Sequence, residues 1–73
     1  MRKFTVYPNP AKDIIHIQNA GKATVTLTNQ SGKTILTKTI NGKEDINIGH
    51  LPAGIYYVKN IETKETAKIL ISK

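Results

Sequence analysis

The fold is indicated most clearly by Leu51-Pro52-Ala53-Gly54-Ile55-Tyr56-Tyr57-Val58, which predicts a turn followed by a strand. Pro52 fixes φ and Gly54 tolerates a positive φ, which predicts a turn, and the β-branched and aromatic residues after it suit a pleated, half-buried strand. A leucine five residues before a strand tyrosine indicates a tyrosine corner, in which Leu51 closes the base of the core and the Tyr56 hydroxyl bonds to upstream backbone. The stretch therefore predicts a β-sandwich; the alternative is an ordinary strand with a surface tyrosine.

The composition indicates a single small domain with a thin core. A chain of 73 residues buries only about 60% of its unfolded surface. It contains no cysteine, so neither a disulfide nor a thiolate metal site adds stability. Its hydrophobic content of 38% suffices for a thin core and not for a large enclosed pocket. No apolar run approaches the ~20 residues of a membrane span, and the basic start of the chain lacks the apolar region of a signal peptide.

The net charge of +6 arises from 11 basic and 5 acidic residues, and the lysines are spread almost evenly along the chain. A nucleic-acid face usually clusters its charges and mixes arginine with stacking aromatic rings. We therefore interpret the lysines as a soluble coat that guards the sheet edges against pairing. The same field predicts a weak attraction to anionic surfaces such as bacterial lipopolysaccharide.

Short strands separated by turns are predicted along the whole chain. In the third strand, threonines alternate with Val25 and Leu27, as in an antiparallel strand with one solvated face. The first strand ends at Pro8-Asn9-Pro10, where the prolines cannot donate to a central ladder, so it should be an edge strand that stops and crosses over. The predicted strands span residues 4–7, 14–18, 24–28, 33–40, 46–48, 55–58 and 67–71.

This pattern predicts an all-β fold, a seven-stranded Ig-like or fibronectin-like antiparallel β-sandwich. We assign the first, second and fifth strands to one sheet and the other four to the second sheet; a seven-stranded barrel is the alternative. In the fourth strand, either Ile35 or Leu36 should point inward. The predicted core comprises Val6, Ile15, Ile17, Val25, Leu27, Ile35, Ile46, Ile48, Leu51, Tyr56, Val58, Ile69 and Ile71.

The residues that could perform chemistry are few and isolated. Ser31 and Ser72 lie neither in a Gly-x-Ser-x-Gly elbow nor near an obvious base. His16 lies on a strand, and Asp45 and His50 flank another strand and could approach each other. We interpret each histidine as a surface or half-buried ring. Because no His/Asp/Glu cluster suits a metal ion, we predict no metal, no cofactor and no enzyme activity.

Four motifs follow one another in the order of a known family. They are Tyr7-Pro8-Asn9-Pro10, Gly32-Lys33 after a Thr/Val strand, Leu51-Pro52-Ala53-Gly54-Ile55-Tyr56, and a short apolar strand closed by Lys73. Over essentially the whole chain, this arrangement resembles the C-terminal sorting domain of the type IX (Por) secretion system of Bacteroidetes. Each motif alone is weak, but the four in register over a domain-length chain are fairly specific.

The resemblance implies a secretion signal. In this family, a separate signal takes the precursor across the inner membrane, and the folded C-terminal domain is recognised at the outer membrane. The cargo then reaches the cell surface or the medium, where it is commonly joined to lipopolysaccharide, and a sortase-like peptidase removes the domain. We expect a monomer that binds this machinery, without nucleic acid and without a membrane span. We also expect the chain to be excised from a longer secreted precursor, with an added or incidental Met1 and the removal site absent or within the first few residues.

The family motifs single out residues with structural or recognition roles. They are Pro8, Asn9, Pro10, Gly54, Tyr56, Lys68, Ile69, Leu70, Ile71 and Lys73. The terminal strand at 67–71 is apolar and β-prone, so we expect its outer edge to be unpaired and guarded by the nearby lysines. The machinery could add a strand to that edge or grip the free terminus; the alternative is that the strand merely completes the sandwich.

Other classes of function compete with this interpretation. A fibronectin-like adhesion or spacer module at the cell surface would sit mid-chain, so residues beyond Lys73 would favour it. A small basic protein that binds nucleic acid would lose affinity steeply with salt. A hydrolytic enzyme is the fourth class, and no set of candidate catalytic residues in the sequence supports it.

Overall fold

Two antiparallel sheets make up the fold in the computed structural model, which describes residues 4–72. The strands are β1 Thr5–Tyr7, β2 Ile14–Gln18, β3 Lys22–Asn29, β4 Thr34–Asn41, β5 Glu44–Asn47, β6 Gly54–Asn60 and β7 Thr66–Ile71. A three-stranded sheet has the order β1-β2-β5, and a four-stranded sheet has the order β4-β3-β6-β7. The predicted sandwich and the predicted assignment of strands to sheets are confirmed, and the barrel alternative is wrong because the strands divide between two sheets.

The core lies between the sheets and is built by the alternation of side chains along each strand. In β3, Ala23, Val25 and Leu27 are buried, whereas the threonines between them are half-buried on the outer face. Val6, predicted as core, is half-buried and packs against the core cluster. The buried hydrophobic residues are Phe4, Ala11, Ile15, Ile17, Ala20, Ala23, Val25, Leu27, Ile40, Ile46, Ile48, Leu51, Tyr56, Val58, Ile69 and Ile71.

Ile35 is 37% exposed, so its predicted place in the core is wrong. The register between β3 and β4 changes at this point, because Leu27 lies opposite Leu36 while Thr28 lies opposite Thr34. One extra residue is thereby inserted on β4, which is the geometry of a β-bulge. Leu36, the alternative to Ile35, is the side chain that packs against the core.

Asn60, at the end of β6, is a polar residue with 0% exposure. Its Nδ2 donates to the Ala20 carbonyl at 3.0 Å. Its Oδ1 accepts from the Glu62 N–H at 2.9 Å and from the Thr63 N–H at 3.2 Å. Burial of an amide is tolerated only when its hydrogen bonds are satisfied, and these three bonds fix the β6–β7 connection to the β2–β3 turn.

The chain enters and leaves the sandwich at opposite poles of a molecule 33 Å long. Thr5 pairs with Gln18, beside the β2–β3 turn, so this entry pole also holds the β6–β7 connection that Asn60 fixes. β7 runs away from it, since Thr66 pairs with Lys59 and Ile71 pairs with Gly54. The exit pole holds the β3–β4 and β5–β6 connections.

Candidate functional site

The site residues predicted on the terminal strand divide between the core and the surface. Ile69 and Ile71 are each 1% exposed and pack in the core. Lys68 and Leu70 lie on the outer face of the four-stranded sheet, where Leu70 keeps 43% of its surface exposed. A partner can therefore contact Lys68 and Leu70 on the folded domain, whereas the two isoleucines are structural. Lys73, the last predicted site residue, lies outside the described residues.

The Pro8-Asn9-Pro10 segment lies along the outer edge of β7. Asn9 Nδ2 donates to the Lys68 carbonyl at 3.2 Å, and Asn9 Oδ1 accepts from the Leu70 N–H at 3.0 Å. A side-chain amide has a carbonyl and an N–H₂ group, so Asn9 offers β7 the acceptor and donor that the backbone of a neighbouring strand would offer. Both prolines are exposed, and the peptide bond before each is cis.

Ala11 continues this contact with its backbone. Its N–H donates to the Leu70 carbonyl at 2.8 Å, and its carbonyl accepts from the Ser72 N–H at 2.8 Å, so that it bridges Ile71 in the parallel direction. Its side chain is 0% exposed and packs in the core cluster. We call residues 9–11 the edge cover.

The expectation that the outer edge of β7 is unpaired is therefore wrong. The edge cover bonds the carbonyls of Lys68 and Leu70 and the N–H groups of Leu70 and of Ser72, the residue that follows β7. The prolines predicted that the chain stops after β1 and crosses over. They could not predict where it arrives, because that depends on contacts between residues 59 and 61 positions apart.

The turn before β6 has the predicted geometry. The Tyr56 hydroxyl donates to the Pro52 carbonyl at 2.8 Å, and Leu51 and Tyr56 are 8% and 6% exposed. Gly54 has a φ of +153°, a value that residues with a side chain rarely adopt. The tyrosine corner and the positive φ are thus confirmed, and both hold the connection between the two sheets at the exit pole.

A row of polar and aromatic side chains crosses the outer face of the three-stranded sheet. His16 Nδ1 lies 2.6 Å from Asp45 Oδ1, and the His16 and Tyr7 ring centroids are 5.1 Å apart. Gln18 Nε2 donates to the Tyr7 hydroxyl at 2.8 Å. Asp45 therefore contacts His16 rather than His50, because the register between β2 and β5 places the first two side by side.

The geometry of the described part of the chain offers little else that points to chemistry. Within residues 4–72, no group of three His, Asp or Glu side chains is placed to hold a metal ion. An open depression of about 700 Å³ at the entry pole is lined by Gln18, Asn19, Gly21, Asn41, Gly42 and Lys43. It presents amides and one lysine. No helix formed by these residues has the length and hydropathy needed to cross a membrane.

Comparison with known proteins identifies the family of the chain. The family model described as the secretion system C-terminal sorting domain matches residues 5–72, a span that includes both the edge cover and β7. No curated protein and no solved structure was found to match the chain. The chain therefore belongs to the C-terminal sorting domains of the type IX (Por) secretion system.

Proposed function

We propose that the folded domain is bound by the secretion machinery at the outer membrane, so that an attached cargo protein is exported. As a family member, the domain is a sorting signal for type IX secretion, which implies contact with that machinery and export to the cell surface or the extracellular space. The match over residues 5–72 supports the proposal. This is a family of secretion signals and not of catalysts.

The finer steps follow from the same proposal. The domain would lie behind its cargo in a longer precursor, pass through the periplasm in folded form, and be removed by a sortase-like peptidase after export. Its net charge of +6 favours a weak attraction to anionic lipopolysaccharide as it arrives at the outer membrane.

The residues singled out from sequence take two kinds of role in this proposal. Lys68 and Leu70 are exposed near Pro8 and Pro10, the two exposed prolines that flank Asn9, and we assign all four to recognition. Asn9 connects these two groups through its bonds to β7, so the surface that they form exists only in the folded domain. Gly54, Tyr56, Ile69 and Ile71 maintain that fold.

A reporter fusion tests the proposal. A fluorescent protein with an inner-membrane export signal would be placed ahead of residues 1–73 in a Bacteroidetes host, with the same reporter lacking the domain as the control. We expect the fused reporter at the cell surface or in the medium and the control in the periplasm. If both remain in the periplasm, the domain is not a sorting signal.

A second version of the fusion tests the role of the terminus. It would extend the chain past Lys73 with a flexible polar tail, and calorimetry on the purified domain would check that the fold persists. Retention of this reporter in the periplasm is expected if the machinery grips the free end. Delivery of both reporters would exclude the terminus from recognition.

The second candidate function is a fibronectin-like adhesion or spacer module. The placement of entry and exit at opposite poles of a 33 Å molecule favours it, because this geometry lets domains be joined end to end. A spacer would leave both reporters in the periplasm, so the same fusions discriminate between the two functions.

A further inference from the structure

The sandwich has four edge strands, and they differ in how much free backbone they offer. β1 has 3 residues and β5 has 4, and the outer edge of β7 is occupied by the edge cover. β4 has 8 residues and ends the four-stranded sheet on the other side. β4 pairs with β3 on one side only. Within residues 4–72, its other edge is a long edge without a neighbouring strand, and such an edge presents a row of free N–H and C=O groups.

The register shows which groups of β4 point outward. In an antiparallel ladder, the N–H and C=O of one residue point to the same neighbour, and successive residues alternate. The Thr24 carbonyl accepts from the N–H that follows β6, so the backbone of Val25 points the other way, to its partner Lys38. The backbone groups of Thr37 and Thr39 must then point away from the sheet.

The usual protection of an edge strand is weak in β4. Edges are normally guarded by proline, by a bulge, by a cover, or by charged side chains, including ones that point inward. β4 contains no proline, and its bulge lies at its first residues. Its single lysine, Lys38, lies on the inner face opposite Val25, and its charge is paired, because its Nζ lies 2.5 Å from Glu44 Oε2 of β5. The centre of the edge, at Thr37 and Thr39, therefore remains open to another strand.

We propose that the outer edge of β4 is a docking surface, at which an extended acidic segment of the secretion machinery adds as a fifth strand. The proposal rests on the function proposed above and names the surface that the machinery contacts. Hydrogen bonds to Thr37 and Thr39 would hold the backbone of the added segment, and exposed Ile35 would contact one of its apolar side chains.

The free backbone groups and the positive charge near β4 indicate which kind of segment would bind there. Free backbone groups in a row match an extended segment. Residues 14–47, which run from β2 through β5, contain four lysines against Glu44 and Asp45, a net charge of +2. This excess of positive charge attracts an acidic segment. It repels a second copy of the same chain, which brings the same lysines and the same net charge of +6.

Thr37→Pro is the first test, with Thr37→Val as its matched control. Proline removes the outward N–H and places its ring on the edge, while the bonds of neighbouring residues to β3 are kept, as at edge positions where proline is tolerated. Valine keeps the N–H and the β-branched shape. We expect both purified domains to remain folded, the reporter fused to Thr37→Val to reach the surface, and the reporter fused to Thr37→Pro to stay in the periplasm.

A second test keeps the backbone intact and reverses the local charge. Thr37→Glu with Thr39→Glu should repel an acidic segment and reduce surface delivery. Ile61→Glu with Thr66→Glu makes the same change in net charge at exposed positions away from β4 and should not reduce it. If Thr37→Pro unfolds the domain, this second test still shows whether the edge of β4 is needed for surface delivery.

The outcomes separate this inference from the function on which it rests. Failure of the unmodified reporter to leave the periplasm refutes the sorting function itself. Delivery of the unmodified reporter together with equal delivery of the folded Thr37→Pro variant, or of the Thr37→Glu and Thr39→Glu variant, refutes the β4 surface alone. A dimer of the purified domain in sedimentation, abolished by Thr37→Pro, would assign the edge to a second copy and also refute the proposal.

Discussion

Three residues, Gly54, Tyr56 and Asn60, illustrate what a local pattern can predict at the scale of a single residue. The turn glycine and the corner tyrosine act on atoms within four positions along the chain, so their roles could be predicted from the sequence. Asn60 bonds to a carbonyl 40 residues away. An Asn that follows a strand is typical of an exposed loop, so the sequence did not indicate that Asn60 is buried. Ile35 was misplaced because a single inserted residue reverses the face on which side chains lie.

Replacing Gly54 should destabilise the fold through the backbone. A Cβ at this position would meet its nearest heavy atom at 3.9 Å, so space is sufficient, but φ is +153°. Strain of this kind costs ~1–3 kcal/mol. We expect Gly54→Val to lower the denaturant midpoint clearly and Ala53→Val, at the exposed neighbour, to change it little. An unchanged midpoint for Gly54→Val would mean that position 54 has an ordinary φ.

Tyr56→Phe should weaken the domain without unfolding it. The ring stays packed, and the bond from the hydroxyl to the Pro52 carbonyl is lost, with a net effect of ~0.5–1.5 kcal/mol. The free energy of unfolding from urea titrations measures this loss. Tyr57→Phe, on the outer face, is the control and should have a smaller effect; equal effects would argue against the tyrosine corner.

Asn60→Ala should cost more than Tyr56→Phe. It leaves the Ala20 carbonyl and two loop N–H groups without their partner, and a buried group left unsatisfied costs ~1–3 kcal/mol. Asn41→Ala, at the exposed last residue of β4, is the matched control. Thermal unfolding should show a lower Tm for Asn60→Ala only, and a normal Tm for this variant would mean that water replaces the amide.

At the scale of elements, the edge cover shows a side chain acting as part of a strand. The seven strands and their division into sheets could be predicted because each strand carries its own alternation and each turn its own residues. The crossover after β1 could be predicted from its prolines. The contact of Asn9 and Ala11 with β7 could not be predicted, since nothing in the sequence around these two residues indicates that they pair with β7. For the same reason, the sequence could not predict that the outer edge of β7 is covered.

Asn9→Ala should open the outer edge of β7 locally. The Leu70 N–H loses its acceptor and the Lys68 carbonyl loses its donor, while the backbone bonds of Ala11 remain. We expect faster hydrogen exchange at the Leu70 amide, with the Val25 amide in the central strand β3 unchanged as the internal control. Asn9→Asp keeps an acceptor for the Leu70 N–H, so it should retain part of the protection. Equal protection in all three proteins would show that the side chain does not hold the edge.

At the scale of the whole molecule, the two long sides of the sandwich are closed by different means. The backbone crosses between the sheets on both sides, and on the side of β1 and β7 it also bonds along the outer edge of β7. On the side of β4 and β5, the Lys38–Glu44 ion pair spans the gap, and such partly exposed pairs contribute little, about 0–1 kcal/mol. The outer edge of β7 is thus covered by the edge cover, whereas the outer edge of β4 is the one proposed to receive a partner.

The parallel course of the edge cover and β7 has a mechanical consequence. β1 begins at one pole and β7 ends at the other, so tension between the start of β1 and the end of β7 would slide the two segments along each other. Under such shear, the bonds of Asn9 and Ala11 to β7 bear the load together, whereas peeling would break them one after another. A domain pulled by its last strand would therefore act as a clamp, and Asn9→Ala should lower its rupture force in single-molecule stretching.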